Sequence, residues 1–474
     1  MSAPLTDQGF NPADVQGNIL RGYRYERVRH LILEVKDAAA ARQWLGRTVS
    51  GSGDQPQITS EEHWNIKPAS CFNIGLTYDG LRGLGVSRAS LASFPTEFKA
   101  GMSARSIKLG DSGSSAPDHW ASPFDDHRKV HLIASINADE ITELDRVEQK
   151  VVTAGSGTAF NLLGVRDGWN FDGDNIHFGY RDSISQPRFI GIDYPESFAD
   201  GQPAVPIGSM LIGYPTEYQG LLYNVPQPDV LGRNGTFNAF RILAQDVAAF
   251  EDYLDTAADE LLLHQQGTQL LPEGGEKFFG EKASRHSAMR EIVAAKMCGR
   301  WLNGVPLALA PDHPVPASDV SLTNFDYGDD DAAGCPFGAH IRRCNPREGS
   351  IVQRAARHTR RLVRRGTPYG GPFHRDTPDS EERGLLGNFI CASLGGQFEA
   401  LMCDWVNLGL QDPQITGSND PMLGANQPET SWFVIPLKNG ESIKLHGLPR
   451  FVTTRGGAYT FLPGIPAIRY LASL

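Results

Sequence analysis

Two segments of this chain alternate apolar and polar residues with a period of two, and a stretch of helical periodicity follows each. In Arg29–Val35, Leu31, Leu33 and Val35 share one face while His30 and Glu34 lie on the other. Val130, Leu132, Ala134 and Ile136 repeat the pattern. An alanine-rich helix is predicted from Asp37 through Trp44, and an amphipathic helix carries Ile141, Leu144, Val147 and Val151. Strands with one apolar face suit an antiparallel sheet with helices packed on one side. The second half repeats the theme without repeating the sequence. Ser209–Tyr214 and Asn238–Leu243 read as strands, and Gln245 to about Gln266 reads as a helix. Ser287–Trp301 reads as another, with Ile292, Ala295, Met297 and Trp301 as its buried stripe. Leu385–Ser393 reads as a buried strand followed by a helix through Gln397–Asn407, and a strand pair is expected around Arg455–Tyr459. The Gly, Pro and Ala-rich loop Asp200–Val205 is the natural boundary. The expected fold is therefore α+β, with two sheet-plus-helix domains, residues 1–203 and 204–474.

Charge and composition remove several classes of function. The 474 residues include 44 basic and 55 acidic side chains, a net charge of −11, where a dedicated nucleic-acid binder would carry a basic domain. Hydrophobic residues at 40% supply a sizeable core, so the chain is not of the disordered class. No apolar run approaches the roughly 18 residues of a membrane-spanning helix. The first residues, MSAPLTDQGFNPADVQGN, lack the basic start and apolar core of a secretory signal, and a cytoplasmic location is expected. The six cysteines form no CxxC pair, which fits reduced thiols better than a zinc site or a disulfide framework.

Three segments carry candidate chemistry. HFGYRDSISQPRF, His177 to Phe189, places Asp182 among polar groups; from spacing alone the residue reads first as a helix N-cap. CPFGAHIRRCNPR, Cys335 to Arg347, sets His340 among small residues ahead of two arginines. A lone histidine is more often structural than a ligand, and a ligand would need a carbonyl or carboxylate on its second nitrogen that nothing local supplies. RAARHTRRLVRRGTPYG, Arg354 to Gly370, holds six arginines and reads either as a solvated face or as a site for an anionic ligand such as a carboxylate-bearing cofactor.

Together these segments resemble the dye-decolorizing (DyP-type) haem peroxidases, in particular the larger cytoplasmic bacterial branch. The resemblance also takes in VQGNILRGY, FNIGLTYDGLRGLGV, GSMLIGYPTEYQG, AAKMCGRWLNGVPLAL, QFEALMCDWVN, DPMLG and FVTTRGGAYTFLP, in that order along nearly the whole chain. It implies two ferredoxin-like domains with haem b (iron protoporphyrin IX) in the C-terminal one, and His340 as the iron ligand. It implies Asp182 as the acid/base and Arg364 as its partner in O–O cleavage, leading to a ferryl intermediate. Haem contacts are implied for Ser183, Ile184 and Ser185, for Arg342 and Arg347 on the propionates, and for Glu399 or Asp404 as the acid behind His340. The implied partners are hydrogen peroxide and small reducing substrates such as dyes and phenols, with homo-oligomer formation left open. Two departures stand out. Ser183 replaces the final glycine of the family's GxxDG motif, and Gly387 and Asn388 follow GLL where a bulky apolar residue is usual. They keep two alternatives open: a haem-binding protein with weak peroxidase activity, for haem handling or sensing, and a haem oxidase or oxygenase specific for one small substrate.

Overall fold

The computed structural model describes residues 9–51, 55–155, 157–192, 194, 203–218, 220–328, 332–347 and 358–474. The predicted boundary loop lies outside these residues as far as Gln202, as do Arg354 and Arg357. Among these residues thirteen strands run in chain order: β1 (Arg27–Val35), β2 (Ser70–Leu76), β3 (Leu132–Ala138), β4 (Phe160–Trp169), β5 (Arg188–Phe189), β6 (Ala204–Val205), β7 (Thr236–Gln245), β8 (Val363–Arg364), β9 (Thr367–Tyr369), β10 (Gly384–Cys391), β11 (Trp432–Pro436), β12 (Ser442–His446) and β13 (Val452–Leu462). Nine of them make one antiparallel sheet in the order β4-β1-β3-β2-β13-β7-β10-β8, with β9 also on β10. The expected α+β class holds, but the two halves share this sheet. β2 of the first half pairs with β13 of the second at Leu76 and Phe461.

The helices form where the sequence caps them. Asp37 accepts the amide of Ala40 and opens the helix Ala38–Thr48, and Asp246 does the same for Val247–Leu263 through Ala249. Ser284 and Ser287 form a reciprocal cap on Arg285–Cys298, which ends at Gly299 in the left-handed conformation. The helix Ile141–Gly155 buries Leu144, Val147 and Val151 against the sheet. Trp44 lies fully buried between the rings of Phe72 and Phe160. Each large apolar side chain buried in this way contributes about 1.5–3 kcal/mol.

The strand faces depart from expectation in an informative way. Leu31 and Leu33 pack under helices as predicted, yet His30 on the opposite face is only 1% exposed, its ring edge-on to Phe240 of β7 at 5.0 Å. The sheet curls until its edges meet: a Cβ on Gly168 of β4 would come within 2.9 Å of the Pro368 carbonyl of β9. The polar face is therefore the lining of a barrel interior. Other expectations fail locally. Ser209–Tyr214 is a 3-10 turn at Ile207–Ser209 followed by buried irregular chain, because Gly208 lies against the carbonyls of Tyr214 and Pro215, and Gly213 has φ +98°. The helix over Gln397–Asn407 is two wide π-helical turns, Leu394–Glu399 and Leu401–Asn407. The expected strand pair around Arg455–Tyr459 is one long strand, β13, paired with β7 and shifted in register between Thr454 and Gly456.

Candidate active site

His340 opens a five-residue helix, His340–Cys344. Its Nδ1 lies 2.9 Å from Asp420 Oδ2. A carboxylate only accepts, so Nδ1 carries the proton and Nε2 is left for a ligand. Asp420 is fully buried, and its Oδ1 accepts the amides of Met422 (2.8 Å) and Leu423 (3.0 Å). Burial pushes this carboxyl up, but His340, Arg343 and the Leu423 amide outweigh it and hold the group below the usual carboxylate range. Arg343 locks the two segments together. Its Nε donates to the Gly338 carbonyl (2.9 Å), and its Nη atoms reach Trp405 O, Ser418 O and Ser418 Oγ, two residues before Asp420. Metal-ligating histidines almost always carry such a buried acceptor on the second nitrogen.

Asp420 corrects the expectation for this partner. Glu399 is buried elsewhere, under Arg105 (2.6 and 2.9 Å) and Tyr459 OH (3.0 Å). Asp404 pairs with Arg360 at 2.9 Å. Both are therefore removed from the set that serves His340. Asp420 belongs to the DPMLG segment, but nothing in its spacing from His340 marked it, because the pair forms only in the fold.

The two cation candidates lie near by. Arg342 is buried with its guanidinium over the rings of Tyr327 and Phe337, at 4.4 and 4.3 Å, and donates to the Cys335 carbonyl at 2.6 Å. Arg347 stacks on Phe325 at 3.7 Å and donates to the carbonyls of Thr323 (3.2 Å) and Phe325. No carboxylate pairs with Arg347 among the described residues, so its charge suits an anionic group of a ligand.

Asp182, Ser183, Ile184 and Arg364 all line one cavity of about 1360 Å³. Small-molecule pockets usually span about 300–1,000 Å³, so this one has room for a macrocycle. Asp182 caps no helix. It sits in irregular chain, with its amide on the Asp174 carbonyl at 2.8 Å, and its carboxylate makes no hydrogen bond among the described residues. Arg364, in β8, donates through Nη2 to the Ser185 carbonyl. Gln186 joins the two segments reciprocally: its Oε1 accepts the Arg364 amide (3.1 Å) and its Nε2 donates to the Arg364 carbonyl (2.9 Å). Gln186 was not singled out by sequence. Ser183 has φ +60°, the backbone region that the family's glycine would fill without strain. Thr323 also lines the cavity, so Arg347 connects that wall to the His340 segment. His340, Arg342 and Glu399 do not line it themselves.

A histidine tied to a buried carboxylate offers a ligand nitrogen for a metal, and a carboxylate and a guanidinium facing one large cavity can move protons and stabilise negative charge there. Residues 14–164 match the DyP dimeric alpha+beta barrel domain. A dye-decolorizing peroxidase of Mycetinis scorodonius is 29% identical over 98% of this chain and 88% of its own length. A multifunctional dye peroxidase of Amycolatopsis sp. is 29% identical over 97% and 95%. A solved dye-decolorizing peroxidase in complex with 2,6-dimethoxyphenol superposes with a TM-score of 0.78 at 26% identity, over 98% of this chain and 100% of that one. Over nearly its whole length the chain is thus similar to dye-decolorizing peroxidases, and its first third matches their barrel domain.

Proposed function

We propose that this peroxidase binds haem b and uses hydrogen peroxide to oxidise dyes and phenols, with Asp182 and Arg364 as its peroxide-handling pair. The observation that carries the reading is the bond between His340 Nδ1 and the fully buried Asp420, which orients the ring and directs Nε2 to a ligand. Haem, when bound, supplies the iron that coordinates peroxide and the redox capacity that donors discharge. His340 Nε2 would hold the iron, and Arg342 and Arg347 would face the propionates. Ser183 and Ile184 would wall the pocket beside Asp182.

The remaining chemistry belongs to the protein. Asp182 presents an unbonded carboxylate to the cavity, so it can take a proton from the inner oxygen of peroxide and return it to the outer oxygen as water leaves. Arg364 is fixed by Ser185 and Gln186, so its charge is in place when negative charge develops on the parting oxygens, with no side-chain rearrangement required. Asp182→Asn is expected to slow peroxide consumption by about 10²–10⁴-fold and Arg364→Leu by about 10²–10³-fold, with haem uptake unchanged. Stopped-flow optical spectra after mixing with peroxide measure both. Wild-type rates in either variant would refute the assignment, and a His340→Ala protein that takes up haem as the parent does would refute the ligand.

Three finer readings go with it. The division into residues 1–203 and 204–474 follows the two groups of strands. The bacterial-branch assignment is supported by the near-complete coverage of the Amycolatopsis relative, although fungal relatives match equally well in identity. A reducing, cytoplasmic location is supported by six cysteines that form no disulfide.

A further inference from the structure

The short helix His340–Cys344 sets its first and last residues one helical turn apart, on the same face. Cys344 Sγ lies 3.8 Å from His340 Nδ1, the nitrogen that also meets Asp420 Oδ2 at 2.9 Å. Among the described residues this contact is the only hydrogen-bonding one that Sγ makes, and the single proton on Nδ1 is already given to Asp420. The thiol therefore sits against the pair without being needed by it. The sequence pointed away from zinc because no two cysteines are paired, but here one cysteine joins a histidine on its own helix and an aspartate far along the chain.

The three side chains present a nitrogen, a sulfur and an oxygen within 4.8 Å of one another, and no other three His, Cys, Asp or Glu residues do so among the described residues. A tetrahedral zinc ion spaces its nitrogen and sulfur ligands about 3.6 Å apart, and nitrogen and oxygen about 3.3 Å apart. Small movements, under about half an ångström, bring both pairs to that spacing. The surroundings suit an ion. Asp420 Oδ1 is held by the amides of Met422 and Leu423, which fixes the carboxylate and leaves Oδ2 for the site. A thiolate and a carboxylate together cancel the charge of a divalent ion. The His340 side chain is 31% exposed and Cys344 is half-buried, so an ion has an entry path and solvent can supply a fourth ligand. The sulfur selects zinc-like metals over magnesium or calcium.

We propose that the haem-free chain binds one divalent ion of zinc's class through His340 Nδ1, Cys344 Sγ and Asp420 Oδ2, and that this ion and haem exclude each other. Binding releases the thiol proton to solvent and moves the ring proton from Nδ1 to Nε2. A neutral imidazole carries only one proton, and on Nε2 it blocks the nitrogen that a haem iron needs. The exclusion rests on the peroxidase reading, whereas the ion site does not.

The test uses the full chain prepared without haem, titrated with cobalt(II) and then with zinc(II). The expected result is one ion per chain, with tetrahedral cobalt bands in the visible and a thiolate-to-cobalt charge-transfer band in the near ultraviolet. Cys344→Ser is expected to lose the charge-transfer band and to bind zinc(II) at least about tenfold more weakly. At a zinc(II) concentration that fills only the parent, haem uptake is expected to slow at least about tenfold in the parent and to be unchanged in Cys344→Ser. A parent that binds no stoichiometric cobalt(II), or a Cys344→Ser protein with the parent's zinc affinity, would overturn the site. Haem uptake at one rate with and without zinc(II) would overturn the exclusion. A chain that takes up no haem even without metal would overturn the peroxidase reading and the exclusion with it, while the cobalt bands still decide the site.

Discussion

Ser183 holds a left-handed backbone conformation immediately after the exposed carboxylate of Asp182. An L-residue there costs roughly 1–2 kcal/mol, which glycine avoids. The strain is local, so the direction of Asp182 is set by this turn together with the bond from its amide to Asp174. Ser183→Gly is expected to raise stability by up to about 1 kcal/mol, since part of the gain is lost to the freer unfolded chain. Ser183→Val is expected to lower it by about 1–2 kcal/mol. Urea midpoints of the two variants check both signs.

His340 and Asp420 make a prediction about the cofactor. Asp420→Asn keeps the shape and an acceptor oxygen but removes the charge that orients the imidazole. Haem affinity is expected to fall about 10–100-fold. Competition for haem against a protein of known affinity measures the loss. Unchanged affinity would show that the bond serves folding alone.

His30 gives the acid limb of stability a specific contributor. Burial lowers its imidazole to about 4, against a small opposing pull from Asp167. The unfolded chain takes up this proton near 6.5. The contribution is therefore complete above pH 6.5 and is lost as pH falls towards 4, amounting to about 3 kcal/mol. Urea titrations at pH 7 and pH 4 should show that His30→Phe loses less stability over this interval than the parent, by about that amount.

Asp111 and Arg241 form a buried ion pair that also engages Thr454 Oγ1. Asp111→Asn leaves the guanidinium buried without its counter-charge and should cost about 3–5 kcal/mol. Replacing both residues with leucine should cost much less, because no charge then remains in the core. A double-mutant cycle read from denaturant unfolding separates the pair from its surroundings.

The regular parts of this fold were the legible ones. Leu144, Val147 and Val151 bury as their spacing requires, and Asp37 caps the helix it precedes. Failures came where a period-two or helical pattern met glycine. The apolar run through Met210–Ile212 is buried without being a strand, since Gly208 and Gly213 permit a tight irregular path. His30 lies on the face that the alternation gave it, but alternation reports two faces and not what covers them, so its burial in the barrel was not legible. In the site, His340, Asp182 and Arg364 were reached through motifs. Asp420 and Gln186 do their work across long sequence separations that no local pattern encodes.

The shared sheet has a consequence for how the molecule is made. β13 is the seam between the two halves, and Gln16 donates to the Pro463 carbonyl, 447 positions away. During synthesis the amino-terminal strands leave the ribosome long before the segment that completes their sheet. Until then the free edge of β2 and the unfilled side of the barrel stay open to other chains. Chaperone occupancy and haem acquisition should therefore both be late events, set by the arrival of the last fifty residues rather than by the speed of the first domain.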